Sequence, residues 1–349
     1  MSSRVTIADI AVAAKVHPST VSRALRNDLR LLPATLNRVQ KIAKKLGYVP
    51  DPVLSSLIAY RLAARPTTDH GTLAWVTGGP TPDWWTSIEI YQFFYKGAKA
   101  RAEKFGYNLE PFWLHESGMT VKRASSVLRA RNIPGLISAP QFETCDDLDL
   151  DWPRFSVVTI GDTLISPQLH TVAPNTFRAA KTILRKIKAY GYDRVGLAVS
   201  ARLDDRIDHA WSGGFLAEQL KFYPDAPIPP FFIQEPVVPE VASSFWKWYE
   251  KYRPQAIITS GGYMWEFMKK RDWKSPRDIA LAYLNLPDYS QKESGILEMP
   301  LEVGAAAIDM LIGLIQRNEK GIPEFPKRLL VEGVWKDGAT LPNLLASKR

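Results

Sequence analysis

Apolar positions at the N-terminus repeat with a helical period. Ile7, Ile10, Ala11 and Ala14 occupy i, i+3, i+4 and i+7, a spacing that stacks side chains on one helix face. Thr6, just ahead, can cap the helix, because its hydroxyl can satisfy an orphan backbone N–H. Lys15-Val16-His17 reads as a tight turn with Val16 directed inward. Pro18 opens a second helix, where its missing N–H costs little, and Val21, Ala24 and Leu25 form the inner face. A third stripe runs through Leu36, Val39, Ile42, Ala43 and Leu46, with Gly47 as the C-cap.

From Gly71 onward the pattern changes. Short apolar runs at Thr72–Thr77, Asn108–Trp113, Gly135–Ser138, Ser156–Ile160, Val195–Ala198, Ala256–Thr259 and Ile279–Tyr283 read as strands. Helical patterns intervene at Tyr91–Phe105, Asn175–Tyr190, Gly214–Leu220, Ser243–Tyr252 and Val303–Gln316. This alternation calls for parallel sheets covered by helices on both faces. The predicted fold is an all-α helix-turn-helix head followed by an α/β core, with length enough for two doubly wound parallel-sheet lobes.

Charge separates the two parts. Residues 1–65 carry eleven Lys/Arg against three acids, a net of +8 out of +9 for all 349 residues. A basic head on a near-neutral body implies a polyanion-binding module attached to something with another task. The outer face of the second helix presents Pro18, Ser19, Ser22, Arg23 and Arg26, and the N-terminal part of such a helix is what meets base edges. Arg23 suits bidentate contact with guanine, Ser19 is a short reader, and Thr20 and Ser22 suit phosphates.

Composition narrows the remaining classes. The 46% apolar and 23% charged fractions are those of a soluble globular protein. Cys145 is the sole cysteine, which rules out an intrachain disulfide and fits a reducing cytoplasm. The N-terminus has no apolar run of the signal type, and no stretch reaches the ~18 apolar residues of a membrane span. The five histidines are scattered, no nucleophile stands with a base, and no metal-ligand spacing occurs. The chain is expected to be no enzyme and to hold no cofactor or metal.

ADIAVAAKVHPSTVSRALRN followed by RVQKIAKKLGYVPDPV resembles the LacI/GalR group of bacterial repressors. The fragments YKGAKARAEKFGYNL, IPGLISAP, VVTIGD, IKAYGYDRVGLAV, SGGF, RDIALAYLN and VGAAAIDMLIGLIQ extend the resemblance along the chain in order. Two departures stand out. His17 replaces the usual phosphate-contacting Ser, and Leu31-Leu32-Pro33 replaces a polar stretch. The resemblance implies a head at 1–50, a hinge helix and linker at 51–70, and a periplasmic-binding-protein-like core at 71–349. Lobe one would span about 71–160 and 296–325, and lobe two about 161–295 and 326–349. The chain would cross between lobes near Ile160–Gly161, Gly295–Pro300 and Phe325–Lys327.

By the same resemblance, Leu57 in the hinge wedges into the minor groove of operator DNA; the alternative is a linker helix whose leucines pack on the core. Two wedges imply a homodimer on a roughly palindromic operator. A small-molecule effector, a sugar or derivative, would lie between the lobes at the carboxyl ends of the strands. That rule selects Trp84, Trp85, Asp162, Arg206, His209, Trp211, Ser260, Tyr263 and Asn285. Asn285 stands near a position usually held by Asp, and Arg206 or Trp211 near one usually held by Arg. Arg206 has an alternative in pairing with Asp204, Asp205 or Asp208, and each tryptophan an alternative as core; Trp246 and Trp248 are read as core. The expected function is a cytoplasmic, nucleoid-associated regulator, most often a repressor in this group. The alternative is a DNA-binding regulator whose core is only a dimerisation or docking scaffold.

Overall fold

The computed structural model describes residues 5–25, 31–48, 71–143, 148, 150–289 and 292–346. Three helices form the head: α1 (Ile7–Ala14), α2 (Pro18–Leu25) and α3 (Pro33–Leu46). They bury Ile10, Ala11, Ala14, Val21, Ala24, Val39 and Ala43 against one another. The helical period therefore supplies the contacts it predicts, although Leu46 lies at the exposed edge of its stripe. Gly47 ends α3 at φ +69°, where a residue without Cβ is not strained.

The core holds two six-stranded sheets. The first contains β1 (Thr72–Thr77), β2 (Asn108–Trp113), β3 (Gly135–Ser138), β4 (Ser156–Ile160), β5 (His170–Pro174) and β11 (Arg328–Val331). Its order is β11-β5-β4-β3-β1-β2, and its neighbours pair in parallel. The second contains β6 (Val195–Ser200), β7 (Phe231–Ile233), β8 (Ala256–Thr259), β9 (Ala280–Leu286), β10 (Gly295–Leu297) and β12 (Val334–Lys336). Its order is β12-β10-β9-β8-β6-β7, with β12 antiparallel at the edge.

Alternation along the strands divides each lobe into two cores. Leu73 and Trp75 of β1 face α4 (Glu89–Lys104) and α11 (Pro300–Arg317). Ala74 and Val76 point the other way, toward Ala124 and Leu128 of α5 (Val121–Ala130). In lobe two, Leu197 and Val199 pack with α6 (Thr176–Ala189) and α8 (Ala210–Phe222). Ala198, Ile257 and Leu281 pack with α9 (Pro239–Tyr252) and α10 (Tyr263–Lys269). Trp246 and Trp248 are core residues of this last cluster.

Two of the three expected crossings are displaced. Strand β5 pairs with β4, so the chain stays in lobe one until Pro174 and enters lobe two with α6. Strand β11 pairs with β5, which moves the last crossing to between Val331 and Val334. The middle crossing falls between β10 and α11, within the expected Gly295–Pro300. The cause is pairing at the sheet edge: both displaced segments complete the hydrogen-bond ladder of the first sheet. Asn175, at the first crossing, caps α6 through the Arg178 amide (3.2 Å) and donates Nδ2 to Glu332 at the third (2.9 Å).

Candidate nucleic-acid interface and inter-lobe site

The head presents α2 on a fixed base. Thr6 Oγ1 accepts the Asp9 amide (3.3 Å), while the Thr6 amide donates to the Asp9 carboxylate (2.8 Å), a reciprocal capping box. The Thr6 hydroxyl and amide hold the Asp9 carboxyl below its ordinary pKa. Lys15 then turns the chain at φ +51°. His17 Nδ1 accepts the Ser19 amide (3.3 Å) and lies 2.8 Å from Ser19 Oγ. With its ring proton on Nε2, the imidazole accepts an amide of the first turn of α2, as a capping side chain does. Pro18, Ser19 and Arg23 are exposed and Thr20 half-buried, while Val21 and Ala24 sit beneath them in the core. Ser22 shares this helix. Arg26 and Leu57 lie outside the described residues.

The residues expected at the inter-lobe site divide into those consumed by packing and those that are not. Trp85 packs on Tyr95 (5.0 Å between centroids) and Trp75 (6.1 Å), and Trp211 belongs to the lobe-two core. Both were expected to contact effector, and both are instead buried. Asp162 is ion-paired with Arg328 within lobe one. Trp84 is also buried, but its ring meets Phe142 (5.4 Å) and Tyr91 (5.9 Å) edge to face. His209, at φ +54°, is exposed, with Nδ1 3.4 Å from the buried Asp204 and Nε2 3.7 Å from Asp205. Asp204 is held by the Ser212 amide (3.1 Å) and hydroxyl (2.6 Å).

Arg206, on α7 (Ala201–Arg206), spans the two lobes. Its Nη2 donates to the Gln141 carbonyl (2.8 Å) and the Tyr91 hydroxyl (3.3 Å), and its Nη1 to the Phe142 carbonyl (3.1 Å). Gln141 is itself locked: its side chain accepts the Gly78 amide (2.7 Å) and donates to the Ala139 carbonyl (2.6 Å). Burial pushes the Tyr91 phenol up in pKa, against the pull of Arg206 and Arg202.

A second cluster lies at the strand ends of lobe two. Glu235 accepts from Ser200, Arg202 and the Tyr263 hydroxyl (2.8 Å). Burial raises its pKa, but these donors outweigh burial and leave the carboxyl below its ordinary value. Burial, then Glu235, pushes Tyr263 up to about 12. Asn285 Oδ1 accepts the Gly261 amide at 3.4 Å. Thr77, Thr259 and Ser260 are fully buried with hydroxyls that have no partner in the structure. Glu298, at the middle crossing, is 5% exposed, and burial pushes its carboxyl up to about 8.

Residues 6–51 match the family described as "Bacterial regulatory proteins, lacI family". The HTH-type transcriptional repressor CytR of Escherichia coli (strain K12) is 50% identical over 48 residues, 14% of either chain. The HTH-type transcriptional regulator PtxS of Pseudomonas plecoglossicida is 28% identical over 203 residues, 58% of this chain and 55% of that one. The head, residues 6–51, belongs to the lacI family of bacterial regulatory proteins. The matched regions cover less than two thirds of the length of these relatives. Among solved structures, the transcriptional regulator CelR–cellobiose complex superposes with a TM-score of 0.58 at 16% identity, over 97% of this chain and 100% of that one. The lac repressor dimer bound to operator and the anti-inducer ONPF gives 0.55 at 16%, with the same coverage. These two likenesses show the fold over almost the whole chain, a helical head followed by a core of two largely parallel sheets.

Tyr91, Gln141, Phe142, Ser200, Arg202, Glu235 and Glu298 belong to these clusters or to the middle crossing and were not selected from the sequence. Gln141 follows β3 by three positions, and Glu298 directly follows β10. The strand-end rule would have selected both, had β10 been recognised and the loop after β3 been inspected.

Proposed function

We propose that the chain is a transcription repressor that binds a two-fold symmetric operator as a homodimer and answers a small molecule held between its lobes. The observation that carries the reading is α2 itself. Its exposed Pro18, Ser19 and Arg23 stand over a buried Val21 and Ala24, in a head that contains most of the net charge of the chain. The relatives support it in their names: CytR is a repressor, and one structural neighbour is a dimer on its operator. The effector reading is supported by buried hydroxyls without partners at the strand ends of both sheets, Thr77 in one and Thr259 and Ser260 in the other, and by a neighbour in complex with cellobiose. Leu57 as the minor-groove wedge is part of the proposal and rests on sequence resemblance. No helix among the described residues is long and apolar enough to cross a membrane.

The test is selection of genomic fragments by the purified full-length chain against bulk competitor DNA, followed by footprinting. The expected result is one protected site with two related half-sites about one or two helical turns apart. Binding that shows no preference for any fragment, with or without cell extract, overturns the reading. Leu57→Ala is expected to weaken the selected site while sparing non-specific DNA.

A further inference from the structure

Arg206 holds the lobes together without a counter-charge. Its three partners, two backbone carbonyls and a phenol, are all neutral. None of the neighbouring acids pairs with it: Asp204 is buried on Ser212, Asp205 is exposed and lies 3.7 Å from His209, and Asp208 is exposed. Among the described residues Arg206 makes no ion pair. The acceptors opposite are fixed by the buried Gln141, whose own amide also donates to Thr163 (2.8 Å). A guanidinium fork gains most from a bidentate oxyanion, where each hydrogen bond is roughly twice as strong as one to a neutral group. A ligand hydroxyl in place of a carbonyl would exchange one neutral partner for another, with little net gain.

We propose that Arg206 is the recognition residue for an anionic effector, whose carboxylate or phosphate replaces the Gln141 and Phe142 carbonyls and the Tyr91 hydroxyl on the guanidinium. This rests on the reading of an effector site between the lobes and names the chemical class of its ligand. The same bonds close the lobes when no ligand is present, so anion binding and lobe release share one residue. The buried Glu298 does not oppose the anion, since burial keeps its carboxyl largely protonated at neutral pH. Trp84, edge-on to both Phe142 and Tyr91, reports any displacement of either ring.

The experiment titrates the full-length chain, at constant ionic strength, with glucose, glucuronate and glucose 6-phosphate, reading tryptophan emission. The expected result is a saturable response to glucuronate or to glucose 6-phosphate, which tells carboxylate from phosphate. That response should be absent with glucose, at least tenfold weaker in Arg206→Gln, partly restored in Arg206→Lys, and missing in Trp84→Phe. Thermal melts of each variant check that it folds. A response to glucose alone, or an anion response that Arg206→Gln leaves unchanged, overturns the proposal while an effector site survives. Silence toward both anions at tens of millimolar overturns it as well. DNA selection by the same preparation is scored separately, so failure of the regulator reading is told apart from failure of this one.

Discussion

Arg23 is exposed on α2 between two buried neighbours on the inner face, Val21 and Ala24. Its guanidinium is therefore free to reach a base edge while its backbone is held. Arg23→Ala is expected to cost about 1–3 kcal/mol on the selected operator and to relax base preference at one position. Quantitative binding to an operator library checks this. Equal weakening on every sequence would assign Arg23 to phosphate instead. Capping was also legible at this scale, because Thr6 and Asp9 lie three residues apart and the capping box is a local geometry. The fate of the tryptophans was not. Trp84, Trp85 and Trp211 all follow strands, and the chain order is silent on which of two faces a ring takes after a turn. In the folded protein all three are core, and Trp84 in addition meets Phe142 and Tyr91, two of the partners of Arg206.

Helices α4 and α11 cross at van der Waals contact of their backbones. A Cβ at Gly304 would fall 2.0 Å from the Phe94 carbonyl oxygen, and one at Gly97 would fall 2.0 Å from that of Leu301. Neither obstacle is a flexible side chain, so the helices would have to separate. Gly304→Ala is expected to destabilise the chain by about 1–3 kcal/mol or more, read as a lowered thermal midpoint. A midpoint unchanged within error would mean that the crossing gives way freely. The helical period of Val303–Gln316 was visible in the sequence, as were the strands from Thr72 to Ser138. The close crossing was not, because a glycine within a helical pattern announces a weak helix former before it announces a neighbour. Strands β5, β7, β10, β11 and β12 also went unread, although β3 and β8, of similar length, were read; β7, β11 and β12 are edge strands with partly exposed positions, whereas β3 and β8 are buried throughout.

At the level of the molecule, the lobes meet at three crossings and at Arg206, and Glu298 lies at the middle crossing. Its carboxyl has an ordinary value of 4.5 and is pushed up by burial to about 8. Below 4.5 it is protonated whether the chain is folded or not, and nothing is lost. As pH climbs from there toward 8, the unfolded chain gives up the proton while the folded chain keeps it, so folding grows less favourable. Glu298→Gln should remove this loss. The variant is expected to match the wild type near pH 4 and to exceed it by up to a few kcal/mol near pH 9. Chemical denaturation at both pH values measures it. An advantage of the same size at both would show that the carboxyl titrates over the same pH range in the folded and unfolded chain.

The head, its caps and the division into a basic front and an α/β core were written in the order of residues. Those features depend on backbone geometry and charge within a turn or two, and neighbours in the chain set them. Membership of a lobe was not written there. Residues 170–174 and 328–331 join the first sheet because its edge ladder accepts them across more than 150 positions. Nor was the bond from Arg206 to Gln141, 65 residues away, since its acid-rich surroundings in the chain offered three closer partners. Asp204 is instead buried on Ser212, and Arg206 reaches carbonyls of the opposite lobe, an outcome that only packing at long range produces.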